Sequence, residues 1–285
     1  MPAPAWDPAQ YLRFADERTR PLRDLLARVP ALPHEPAATI LDIGCGPGNS
    51  TAVVRERWPQ ARITGVDNSA PMLETARTQG EPSAAYVLAD AAEYDPAPAG
   101  PDLIVSNAAL QWISAEERRP RRGLSSPKAG EEGRLDGHLA LLPRWAEALR
   151  PGGVIAFQVP GNFDAPSHTL LAGLRRSPRW ADVLGDDATR AGVHEPGRYL
   201  DVLAGAGCAA DVWETTYSTL LTGPDPVLEW TKGTALRPVL ARLADPEQRA
   251  AFLAEYGALL REAYPAGPHG TVFPFRRIFA VATRR

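Results

Sequence analysis

The chain has 285 residues, of which 44% are hydrophobic and 23% charged, and its formal net charge is −3. This size and balance suit one soluble α/β domain, with or without a cap, and leave no global basic footprint for nucleic acid. There is no run of about 18 apolar residues to span a bilayer. The first residues lack the basic-then-apolar order of a signal peptide, and Cys45 and Cys208 stand far apart in no metal-ligand pattern. A cytoplasmic protein with reduced thiols, no bound metal and no membrane or nucleic-acid partner is therefore expected.

The first expected element is a helical lead-in. Tyr11, Phe14 and Ala15 share one face of it, and residues 22–29 continue as a second amphipathic piece. Residues 39–51, TILDIGCGPGNST, then read as a strand, a tight glycine turn and a helix start. Gly44, Cys45 and Gly46 form the turn, where glycine allows a ligand to approach the backbone closely. Asp42 brings a carboxylate to the strand end. A diphosphate would be repelled there, whereas an ammonium group would be attracted. A dinucleotide fingerprint would also need glycine at the position of Asn49.

A second strand, at 61–66, ends at Asp67 and Asn68, where a carboxylate can accept hydrogen bonds from both ribose hydroxyls. Ser69 is expected to cap the following helix and so free Asp67. A third strand at 84–89 precedes Asp90 and Ala91, and a fourth at 102–106 runs into Asn107. Open parallel sheets bind ligands at the carboxyl ends of their strands, and these four strands all carry polar residues there. Residues 115–137 contain arginines, glutamates, Pro, Ser and Gly with almost nothing to bury, and read as an exposed loop insertion anchored by Trp112 and His138. A helix at 139–149 stops at Pro151, and Gly152 and Gly153 turn the chain into a fifth strand. Further on come a helix ending near 205, a strand at 210–221, helical patterns broken at Pro226, Pro238 and Pro246, and a last strand at 276–282.

The D-x-G-C-G-P-G turn resembles motif I of the class I S-adenosylmethionine-dependent methyltransferases. That resemblance implies a cofactor site of Asp42, Gly44, Cys45, Gly46, Asp67, Asn68, Asp90, Ala91 and Asn107, with Asp90 and the Ala91 backbone at the adenine. It also implies a Rossmann-like α/β fold: a seven-stranded, mostly parallel sheet of order 3-2-1-4-5-7-6 with its last strand antiparallel. Helices would cover both faces. Residues 1–285 would form a single domain, with a helical cap from 1–30 and 223–270.

Several segments outside motif I narrow the resemblance: WDPAQYLRFADERTRP, RWPQARITGVDNSAPML, SNAALQWI, QVPGNFDAPSH, AGCAADVWETTY, TALRPVL and FPFRRIFAVA. With these, the chain resembles the trans-aconitate 2-methyltransferases over nearly its full length, residues 118–137 being longer than that family's pattern. The implied reaction moves a methyl group from S-adenosylmethionine to a carboxylate of trans-aconitate. A carboxylate is ionised at neutral pH, so no catalytic base is expected. A tricarboxylate partner calls for arginines, and the family-like segments offer Arg18, Arg20, Arg237 and Arg277, with Trp112 at the substrate entrance. Arg276 and Arg277 are neighbours on a strand and should face opposite ways. His168, His194, Tyr199 and Tyr217 are given no role. Three rival readings stay open: a methyltransferase for another small acid or natural product, an NAD-dependent oxidoreductase, and a non-catalytic cofactor-binding module. Oligomeric state is not legible.

Overall fold

The computed structural model describes residues 15–113, 137–185 and 193–285, with side chains described from residue 19 onward. The expectations for Tyr11, Phe14, the Arg18 side chain and most of the 115–137 insertion lie outside these residues. The chain separates into two compact units. One comprises Thr19–Val159, Thr189–Glu214 and Ile278–Arg285; the other comprises Met1–Arg18, Pro160–Ala188 and Thr215–Arg277. They are called the sheet unit and the helical unit below. Strands β6 (Cys208–Leu221) and β8 (Gly270–Arg284) each contribute residues to both.

The sheet unit is built on β1 (Thr39–Ile43), β2 (Arg62–Asp67), β3 (Ala85–Leu88) and β4 (Leu103–Asn107). β1 pairs parallel with β2 and with β4, and β2 pairs parallel with β3. β5 (Val154–Pro160) extends the parallel set beside β4. Every residue of β1 is buried, as a central strand covered on both faces should be. The edge strand β3 is largely exposed. α4 (Leu141–Ala148) puts Leu141, Leu142, Trp145 and Ala146 into the core, which also takes Leu41, Ile43, Ile104, Ile155, Phe157 and Tyr199.

The full sheet order is β3-β2-β1-β4-β5-β8-β6. This is the expected order with one addition. A two-residue strand β7 (Ala266–Gly267) folds back on β8, so the sheet has eight strands and the returning strand is the eighth. Pro268 and His269 make that tight turn between Gly267 and Gly270. Arg284 N–H donates to Gly153 C=O, and Gly161 N–H donates to Arg276 C=O. The indices rise on β5 as they fall on β8, so the two strands are antiparallel.

The second amphipathic piece of the lead-in joins the first in one helix, α1 (Ala15–Ala27), with Pro21 inside it and Leu22, Leu25 and Leu26 buried. The expected breaks at Pro226, Pro238 and Pro246 are present, and each proline stands in the first turn of the helix after its break. Pro226 opens α8 (Pro226–Lys232), Pro246 opens α10 (Pro246–Ala263), and Pro238 is the second residue of α9 (Arg237–Arg242). Proline suits these positions because a first-turn N–H has no intrahelical partner to lose. The helical unit also holds α5 (Pro166–Arg175) and α6 (Ala181–Leu184), while α7 (Pro196–Gly205) belongs to the sheet unit. The core of the helical unit gathers Trp180, Leu228, Trp230, Phe252, Tyr256 and Phe273. Among the described residues no helix is long and apolar enough to cross a membrane.

Candidate active site

The glycine turn between β1 and α2 (Asn49–Arg57) is held from three sides. The Gly44 and Cys45 N–H groups both donate to Val66 C=O on β2, at 2.7 and 3.1 Å. The Ser106 hydroxyl of β4 donates to Ile43 C=O at 2.8 Å. Asp42 is fully buried, and its Oδ2 accepts from the Ser50 and Thr51 hydroxyls of α2, each at 2.7 Å. The acid therefore bolts the helix start to the strand end. Its Oδ1 has no hydrogen-bond partner. Burial pushes the Asp42 carboxyl up to about 6, against the pull of the two hydroxyls.

Gly44 and Gly46 both have positive φ but do different work. A Cβ at Gly44 would lie 2.2 Å from the Ala109 Cβ, so that glycine exists to let β4's exit loop close on the turn. A Cβ at Gly46 would meet nothing within 4 Å. The space beside Gly46 is open, as a cradle for a ligand requires. The loop that closes on Gly44 is itself strained: Ala108 has φ 53 and donates its N–H to Gln158 C=O. A left-handed conformation costs a non-glycine residue about 1–2 kcal/mol. The run of small residues in SNAAL was the only sequence sign of this close approach.

Asp67 sits at the end of β2 and accepts from two backbone N–H groups, Gly46 onto Oδ2 at 2.9 Å and Ser69 onto Oδ1 at 2.8 Å. Ser69 does occupy the N-cap position of α3 (Ala70–Gln79), but its side chain makes no cap bond. The expected hydroxyl cap is thus replaced by a turn in which Asp67 takes the Ser69 N–H, an arrangement common for aspartate. Burial raises the Asp67 carboxyl above its ordinary range, opposed by these N–H bonds. Each carboxylate oxygen still has lone-pair capacity for a hydroxyl. Asn68, next to it, is exposed.

Asp90 closes a similar turn after β3. Its Oδ1 accepts the Ala92 N–H at 2.7 Å and its C=O accepts from Glu93 and Tyr94, so Ala91 is held within an ordered loop. Asn107, at the end of β4, accepts a bond from the Gln158 amide. The strand-end acids Asp42 and Asp67 and the turn glycines thus share one bonded network, because Gly46 is a partner of Asp67 and Gly44 is fastened to β2.

The expected substrate residues divide between the two units. Arg20 is exposed on α1 and pairs with Asp24 at 4.0 Å. Trp112 is 57% exposed, at the end of a short turn of helix over Leu110–Trp112. Arg237 begins α9 in the helical unit. Arg277 is buried there, on β8, with its guanidinium carbon 4.4 Å from the centre of the Phe275 ring. Its neighbour Arg276 instead bonds to Gly161 C=O at 3.3 Å. Asn162 was missed altogether. It is 4% exposed, and neither amide atom has a partner.

Comparison with known proteins narrows the chemistry. A methyltransferase-domain family profile matches residues 40–121, which takes in the glycine turn and the ends of β2, β3 and β4. A trans-aconitate 2-methyltransferase of Streptomyces avermitilis is 54% identical over 99% of this chain and 98% of its own length. The chain belongs to the trans-aconitate 2-methyltransferase family. Similar relatives of that name occur in Streptomyces coelicolor, at 51% identity over 99% of this chain and 88% of theirs, and in Rhodococcus jostii, at 46% over 97% and 98%. Among solved structures, the YcgJ protein of Bacillus subtilis covers the fold with a TM-score of 0.53 at 12% identity, over 92% of this chain and 98% of its own. The cyclopropane synthase MmaA2 of Mycobacterium tuberculosis gives 0.52 at 12% identity, over 92% and 83%.

Proposed function

We propose that this protein transfers the methyl group of S-adenosylmethionine to a carboxylate of trans-aconitate, giving a monomethyl ester and S-adenosylhomocysteine. The observation that carries this reading is 54% identity, across almost the whole chain, to a relative named for that activity. Near-complete coverage matters because a cofactor domain alone would leave the acceptor open.

The residues present fit the cofactor. The open space at Gly46 admits a ligand against the backbone. The buried Asp42 carboxylate, with one oxygen unpartnered, suits an ammonium group. Asp67 supplies acceptors for ribose hydroxyls, and Asp90, Ala91 and Asn107 complete the cofactor set. When bound, S-adenosylmethionine supplies a methyl group already activated by its sulfonium. The chain's own task is then positioning. The acceptor carboxylate is charged without help at neutral pH, so no side chain is assigned as a general base. Holding two reactants in line can contribute on the order of 7–11 kcal/mol. Arg277 is assigned to the acceptor because a buried guanidinium suits a carboxylate through paired hydrogen bonds. Arg18, Arg20, Arg237 and Trp112 are assigned supporting places on the acceptor side. Two free cysteines, Cys45 and Cys208, both buried, suit a cytoplasmic setting.

The test is turnover of S-adenosylmethionine with trans-aconitate, cis-aconitate, citrate and isocitrate, with the product identified as a base-labile ester. Trans-aconitate should be the preferred acceptor. Robust activity on another acid with no ester from trans-aconitate would overturn the assignment.

A further inference from the structure

We infer that Asn162 is an acceptor-binding residue, whose carboxamide completes with Arg277 a subsite for one carboxylate of the substrate. This rests on the reading of the acceptor as a small polycarboxylate.

The placement follows from where β5 ends against β8. Gly161 N–H donates to Arg276 C=O at 2.9 Å, and the Arg276 guanidinium donates back to Gly161 C=O at 3.3 Å. β5 stops at Pro160, so Asn162 leaves the sheet beside the Phe275–Arg277 stretch of β8. Successive residues on a strand alternate in face, so Phe275 and Arg277 share one face of β8 and Arg276 takes the other. The 4.4 Å contact of Arg277 with the Phe275 ring agrees with this. Asn162 and Arg277 each stand next in sequence to a member of the Gly161–Arg276 pair. A carboxylate group can bridge two such residues.

The chemistry of Asn162 is what calls for a ligand. Its Nδ2 and Oδ1 are both buried and both without a hydrogen-bond partner. Buried amides are nearly always paired, and leaving one unpaired is costly. The neighbourhood is not loose enough to account for it. Asn162 C=O accepts the Ala165 N–H at 3.0 Å, fixing the turn. The start of α5 is then locked by two tyrosines of the helical unit: Tyr264 Oη accepts the Ser167 N–H at 3.1 Å, and Tyr256 Oη donates to Ser167 C=O. Burial keeps the Tyr256 phenol protonated by pushing it up. On the Arg277 side, the Trp230 and Phe275 ring centres lie 5.9 Å apart. An amide N–H donor beside a guanidinium, next to aromatic rings, matches a carboxylate. The amide oxygen leaves a place for a donor, such as a water carried by the substrate.

The test compares Asn162→Leu and Asn162→Asp with the wild type in three measurements: KM for trans-aconitate, S-adenosylhomocysteine affinity by calorimetry, and thermal midpoint. A hydrogen bond to a charged group corresponds to about a 10- to 100-fold change. Asn162→Leu should therefore raise KM for trans-aconitate by about that factor, with cofactor affinity unchanged. Its thermal midpoint should hold or rise, because a buried unpartnered amide has been replaced by an apolar group of similar volume. Asn162→Asp should raise KM further, since a carboxylate beside Arg277 competes with the substrate's own. An unchanged KM in both variants, with wild-type turnover of trans-aconitate intact, would overturn the role of Asn162 alone. So would a KM rise that merely tracks a fall in thermal midpoint. Failure of the wild-type protein to bind or methylate trans-aconitate would overturn both this inference and the reading beneath it.

Discussion

In the sheet unit the groups assigned to the cofactor are already engaged by the chain itself. Asp67 takes two backbone N–H groups, Asp42 takes two hydroxyls and Asp90 closes its own turn. In the helical unit the strongest polar candidate is the reverse: Asn162 is buried with nothing bonded to either amide atom. One region is organised by its own bonds, and the other holds a buried amide that no bond of the chain engages. Preorganisation lowers the ordering cost of binding. Unpaired buried groups instead give discrimination, because a ligand that cannot satisfy them leaves their penalty in place.

The sharpest way to break this contrast is at the glycines of the cofactor turn. Gly44→Ala combines a left-handed φ with a 2.2 Å overlap on Ala109. It should lose about 2–5 kcal/mol of unfolding free energy. Gly46→Ala meets no atom and should lose only about 1–2 kcal/mol, yet it should weaken S-adenosylhomocysteine binding at least ~10-fold because the added methyl enters the ligand's space. Equal destabilisation of the two variants in denaturant titrations, with binding retained in Gly46→Ala, would mean that the turn is closed structure throughout.

Next in size is Asp67→Ala. It removes the tie from Gly46 and the acceptors assigned to the ribose, so cofactor affinity should fall by about 10- to 100-fold with the fold retained. Unchanged affinity by calorimetry would move the ribose contact elsewhere.

The most gradual effect is a pH dependence. The Asp42 carboxyl is raised from 3.8 to about 6 in the folded protein. A raised acid binds its proton more tightly when folded, so its contribution is present below about pH 4 and is lost as pH rises through about 6. The stability of the wild type relative to Asp42→Asn should therefore fall by up to about 3 kcal/mol between pH 4 and 7. The asparagine can still accept from Ser50 and Thr51, which keeps the comparison fair. A difference that stays flat across that window would show that Asp42 is not perturbed in this way.

The same contrast explains what could be read from the chain alone. The cofactor turn is written locally: Asp42 bonds to residues only 8 and 9 positions away, and strand-end acids follow a periodic hydrophobic pattern. The strand order came instead from the family resemblance that the glycine turn carried. What escaped was long-range. Gly161 and Arg276 are 115 positions apart, so no local pattern announces that Asn162 leaves β5 beside Arg277. The strain at Ala108 and the replacement of a Ser69 cap by Asp67 were missed for a related reason. Each depends on which of two local bonding options the packed neighbours select.

The division of labour between the two regions is tested most directly by one set of steady-state measurements: KM for S-adenosylmethionine and KM for trans-aconitate, in Asp67→Ala and in Arg277→Gln. Asp67→Ala should raise only the first and Arg277→Gln only the second, each by about 10-fold or more. If Arg277→Gln raised the cofactor KM and left that for trans-aconitate unchanged, the assignment of the acceptor to the buried β8 face would be contradicted.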